Sequence, residues 1–89
     1  GKRTEKMTQA QTHNLEWNGI TLEIKVQADQ LSSRITGEEH ATIEVKSLNP
    51  LHAALPLAER GFYRDSVAAS TLRAAGGAVA YVDVMLAAA

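Results

Sequence analysis

The chain of 89 residues contains no cysteine. That removes disulfides, thiol nucleophiles and most structural zinc sites together, and it fits a reducing compartment. Aromatic residues are scarce: Trp17, Phe62, Tyr63 and Tyr81 are the whole set. Proline occurs only at Pro50 and Pro56. Neither sign of charge dominates. Nine Lys and Arg against ten Asp and Glu leave a formal net charge of −1, which gives no support to a generally basic nucleic-acid binder. No apolar run has the length of a bilayer span, and no basic-then-apolar leader is present. The expectation is a soluble cytoplasmic protein without membrane contact.

What is abundant is aliphatic. Hydrophobic residues make up 45% of the chain, but many are alanine, which buries little area each. A single domain of this size buries roughly 60–65% of the surface its unfolded chain exposes, so a shared interface is a natural supplement to a thin core. The most apolar stretch is 78–89, AVAYVDVMLAAA, where Asp83 is the sole charge. Such a segment must be covered on most sides. Its alanines and the preceding Gly76-Gly77 favour a helix, although its valines also suit a strand. Val79, Val82, Met85 and Leu86 are the expected interface with a second copy, making the protein a homodimer.

The rest of the chain reads as strands. Residues 1–12 are polar and aperiodic, which predicts a disordered tail or a vector-derived leader, with 13–89 forming one domain. Asn18-Gly19 is a strong hairpin signal, because both turn positions need positive φ. Ile20, Leu22, Ile24 and Val26 alternate with Thr21, Glu23, Lys25 and Gln27, the pattern of a half-buried strand. Ala28–Glu39 is polar and contains Gly37, so a loop is expected there. Alternation resumes over His40–Ser47, with Ala41, Ile43 and Val45 inward, and Pro50 stops it. Glu23, Lys25, Glu44 and Lys46 are placed to pair across neighbouring strands. Phe62–Ala68 is a weaker fourth strand, and Ser70 suits the N-cap of a short helix over Thr71–Ala75. The predicted class is α+β: a three- to four-stranded antiparallel sheet, β-β-β-(β)-α, with the apolar C-terminal helix on one face.

Candidate binding residues concentrate in Leu55–Ser66. Arg60 and Arg64 are suited to a phosphate or carboxylate, with Tyr63 as a stacking face and Glu59 beside them. The competing account is that Glu59 or Asp65 neutralises the arginines and Phe62 plugs the sheet. Trp17, next to the hairpin turn, is a further candidate anchor for a partner. His13, His40 and His52 lack metal-ligand spacing, so no metal and no cofactor is expected. His40 beside Glu38 or Glu39 is the best acid–base pair available, and solvated loop charges explain it more simply. Gly76-Gly77 lacks the spacing and the lysine of a phosphate loop.

Several features together carry a resemblance. These are the Trp17-x-Gly19-Ile20 strand, the acidic-aliphatic strand before Pro50, Leu55-Pro56-Leu57, and Ala75-Gly76-Gly77 before the last segment. The chain resembles small uncharacterised proteins of bacterial plasmids and integrative elements. Their middle segment reads Pro-Leu-Pro-Ile-Thr-Glu-Thr-Gly-Tyr-Arg-Ser-His-Phe. Leu55–Leu57, Glu59, Gly61, Tyr63 and Arg64 match it, whereas Asp65-Ser66-Val67 departs. The resemblance implies a mobile-element accessory protein and supplies no catalytic residue. The functional expectation is a non-enzymatic protein-interaction module. The alternative is a nucleic-acid-binding factor using Arg60, Arg64, Arg73 and the Lys2–Lys6 arm on phosphates.

Overall fold

The computed structural model describes residues 10–88. The expected tail and its Lys2–Lys6 arm therefore lie outside the described residues, except that Gln11 and Thr12 belong to the first strand. β1 (Gln11–Trp17) and β2 (Ile20–Ala28) form a hairpin. Its turn holds Asn18 at φ 51 and Gly19 at φ 78, the doubly positive geometry whose twist matches that of the flanking strands. A short helix, α1 (Gln30–Thr36), leads into β3 (His40–Asn49), which pairs with β4 (Phe62–Ala68). Two helices follow, α2 (Ala69–Ala75) and α3 (Ala78–Ala88). The sheet is antiparallel throughout, in the order β1-β2-β3-β4. The class is α+β, with four strands and a C-terminal helix.

Two local expectations are corrected, and the weaker fourth strand expected at Phe62–Ala68 is present. The segment Ala28–Glu39 is not a loop but carries α1. Asp29 caps that helix through a bond from Ser32 N, and Gly37 ends it at φ 82, where an L side chain would be strained. Ser70 is not an N-cap. α2 begins at Ala69 without a side-chain cap, since the β4 backbone runs straight into it. The fourth strand is complete, paired with β3 from His40–Ala68 to Lys46–Phe62.

Alternation divides the sheet into an apolar inner face and a charged outer one. Leu22, Ile24, Ile43 and Val45 are all 0% exposed on the inner face, and Val82 (0%) and Leu86 (2%) of α3 close over them. Leu72 of α2 and Val67 of β4 extend the same cluster. The two helices meet at 77°, and among the described residues no single helix is long and apolar enough to cross a membrane. Val82 and Leu86 are thus consumed by the chain's own core and are unavailable to a second copy. Val79 and Met85 are half-buried against the same core. The side of α3 turned to water carries Asp83, Val84, Ala87 and Ala88.

The crossover from β3 to β4 is tied down by a buried serine. Ser47 Oγ donates to the Ala53 carbonyl at 2.7 Å, and Ser47 N donates to the Gly61 carbonyl at 2.8 Å. Gly61 sits at φ +75, and a Cβ there would lie 2.6 Å from the Ala53 oxygen. Only glycine fits. Leu86→Ala should lower stability to urea by about 2–5 kcal/mol and Gly61→Ala by about 1–3 kcal/mol. Val84→Ala, two residues away on the opposite side of the helix and 61% exposed, should change it by less than about 0.5 kcal/mol. Equal losses at positions 84 and 86 would show that the buried side of α3 is misassigned.

Candidate functional site

The predicted arginine–tyrosine constellation does not assemble. Tyr63 and Arg64 are neighbours on β4, so their side chains leave opposite faces of the sheet. Tyr63 pairs with Val45 on the inner face, is half-buried, and donates its hydroxyl to Asp65 Oδ2 at 3.1 Å. Burial, reinforced by the Asp65 carboxylate, pushes the phenol above its ordinary pKa. It is therefore no stacking platform for a ligand at Arg64. Arg64 is on the outer face and reaches Glu44 Oε2 at 3.5 Å. Neither Glu59 nor Asp65 supplies that ion pair. Glu59 and Arg60 are exposed in the turn before β4. Arg73 is exposed on α2, whose Leu72 packs on the inner face, so Arg73 and Arg64 lie on opposite sides of the sheet.

The outer face is otherwise a lattice of opposite charges. Lys46 pairs with Glu23 at 3.6 Å, and Glu44 stands between Lys25 and Arg64 in one row. Phe62, half-exposed on this face opposite Lys46, does not plug the sheet. Trp17 packs beside the core at the hairpin end and remains partly accessible.

The feature that sequence reading missed is α1. Its contacts with the body of the protein are polar. Asp29 accepts from Ser32 N (3.1 Å), Ser32 Oγ (2.8 Å) and Ser66 Oγ of β4 (2.8 Å). Ser33 Oγ donates to the Asp29 carbonyl at 2.8 Å and accepts from His40 N at 2.9 Å. Leu31 and Ile35, one turn apart, face water at 69% and 75% exposure. This is an amphipathic helix turned inside out: its hydroxyls hold it down and its large aliphatics point away. The signals for it were present in Asp29 as N-cap, the Leu31–Ile35 spacing and Gly37 as stop, but the surrounding polarity masked them.

The same network places Ser33, His40 and Asp29 together without making them a nucleophile relay. A carbonyl only accepts, so a hydrogen bond from His40 Nδ1 to the Glu38 carbonyl, 3.0 Å away, requires the tautomer protonated at Nδ1. That contact uses the Glu38 backbone, not either glutamate carboxylate. The Ser33 hydroxyl proton is committed to a backbone oxygen, so the arrangement caps a helix and lacks an activated hydroxyl. Among the described residues no group of His, Asp and Glu is placed to hold a metal ion. Two open hollows, of about 420 and 350 Å³, meet at Gln11 and Val26 on the uncovered end of the inner face.

Residues 10–89 match the family model described as the KlcB third domain. The chain belongs to the KlcB third-domain family. KlcB is a plasmid-associated protein, which agrees with the resemblance to plasmid-borne proteins at this coarser level. No curated protein and no solved structure matches the chain.

The α1 cap has a direct acid signature. Hydrogen bonds from Ser32 N first, then from the Ser66 and Ser32 hydroxyls, lower the Asp29 pKa from 3.8 to about 2. A carboxyl with a depressed folded-state pKa contributes stability that is fully present above its unfolded value and is lost as pH falls through the folded one. Thermal midpoints should therefore drop between about pH 4 and pH 2, and Asp29→Ala should flatten that limb. An Asp29 carboxyl that titrates at its ordinary value by NMR would dismiss the capping account.

Proposed function

We propose that this domain is a non-enzymatic protein-interaction module of a plasmid accessory protein, working in the cytoplasm through the outward side of α1. The observation that carries the reading is the pair Leu31 and Ile35, held out in water by a helix whose polar side is pinned to the sheet. Surface aliphatics scattered singly need no explanation, but two on one turn of a deliberately capped helix do.

The occupant we assign to this side is a neighbouring domain of the same KlcB polypeptide. Fully burying a leucine or isoleucine contributes about 1.5–3 kcal/mol, so the pair yields roughly 3–6 kcal/mol. Free association costs an estimated 4–15 kcal/mol or more in lost motion. A patch this small is insufficient for a partner arriving from solution. It suffices for one tethered on the same chain, where the effective concentration is on the order of millimolar. The family's description as a third domain supplies such neighbours. Nucleic-acid binding through Arg60, Arg64 and Arg73 draws less support, because Arg64 and Arg73 lie on opposite sides of the sheet and Arg64 is paired with Glu44.

Hydrogen exchange tests this. In a KlcB polypeptide that carries the domain with its neighbours, amides of residues 30–36 should exchange about tenfold or more slowly than in the isolated chain, the factor that roughly 1.4 kcal/mol of docking corresponds to. Leu31→Asp with Ile35→Asp should abolish that protection while leaving the isolated domain's stability within about 0.5 kcal/mol. Identical exchange in the two contexts removes the proposal.

A further inference from the structure

The sheet has two open edges, and they differ in chemistry. Among the described residues, the seven-residue strands β1 and β4 each pair on one side only. An uncovered edge strand is a template for another strand unless charge, proline or a bulge blunts it. On β4, Arg64 and Asp65 occupy the middle. On β1 the sequence is QTHNLEW, without lysine, arginine or proline, and Gln11 through Asn14 are all exposed. We infer that β1 is a homodimerisation edge, at which two copies pair antiparallel about a two-fold axis at Asn14 to make one continuous sheet.

Three features lead to that register. The first is hydrogen bonding. The two-residue turn makes Trp17–Ile20 a bonded pair, so the antiparallel alternation directs the backbone groups of Trp17, Leu15, His13 and Gln11 toward β2. Those of Thr12, Asn14 and Glu16 point out along the open edge. A two-fold at Asn14 lets all three find partners, Asn14 on Asn14 and Thr12 on Glu16 of the second copy. The second is charge. Full-length self-pairing of β1 opposes an amide to an amide, whereas the same operation on β4 (Phe62–Ala68) opposes Asp65 to Asp65. Moving the β1 axis to Glu16 creates the same clash of carboxylates. The third is shape. This register sets Trp17 of the second copy opposite Gln11 on the inner face, beside the hollows of about 420 and 350 Å³ that Gln11 borders. Trp17 and Leu15, partly accessible in one copy, thereby gain a surface to cover. The inference is independent of the role given to α1, which lies on a different element.

The chain has no cysteine, so a single introduced thiol reports alone. Across a two-fold at a bonded pair the Cα atoms are about 5.5 Å apart, inside the roughly 4.4–6.8 Å that a disulfide spans. Asn14→Cys should therefore cross-link under mild oxidation, and Asp83→Cys on the outward side of α3 should not. Light scattering on a sizing column should give twice the 9.6 kDa monomer mass. Introducing charge of either sign at Thr12 supplies a readout that mere misfolding would not reproduce. Thr12→Glu faces Glu16 of the second copy and should weaken the dimer roughly two- to tenfold, and Thr12→Lys should tighten it by a similar factor. Lys25 on the other side of Thr12 makes the effects on monomer stability run in the opposite sense. A monomer at high-micromolar concentration overturns the inference altogether. A dimer cross-linked through Asp83→Cys and not Asn14→Cys keeps dimerisation but moves it to α3, and so overturns the β1 edge.

Discussion

Everything in this domain depends on the apolar stripe shared by β2 and β3 being roofed by α3. Leu22, Ile24, Ile43 and Val45 are interleaved with charged residues along two adjacent strands, so they all emerge on the same side. Val82 and Leu86 are the covering side chains, four residues apart on one face of the helix. Once that contact exists, the outer face must be the charged one, the hairpin register is set, and β4 is placed to run into α2. The core is narrow, since alanine fills much of the helical surface. It leaves one end of the inner face uncovered, where β1 and β2 border open hollows.

α1 obeys the opposite rule. No residue of this helix is buried, and its attachment is a set of hydroxyl and carboxylate bonds to β3 and β4. Helices without an apolar anchor are marginal in water, so a capped and clasped turn that exposes leucine and isoleucine is a local conflict between patterning and fold. Such conflicts concentrate where a surface is used.

The parts of this architecture that follow period two were legible from the amino-acid order. Ile20–Gln27 and His40–Ser47 announce their faces, and Asn18-Gly19 announces the turn between β1 and β2, because each signal is local. The arginine–tyrosine site was not legible, since whether Tyr63 and Arg64 share a face depends on β4 being a true strand, and its alternation is poor. α1 was obscured for a different reason. Its apolar residues point outward, so the usual inference from hydrophobic spacing to a buried face has nothing to act on. The partner of Arg64, Glu44, lies across a ladder whose register no nearby residue reveals.

The order of the elements also bears on how the molecule is made. Strands emerge from the ribosome first and α3 comes after all of them, so Leu22, Ile24, Ile43 and Val45 remain wet until the final turns appear. During synthesis the half-finished sheet therefore exposes its greasiest side until α3 is made.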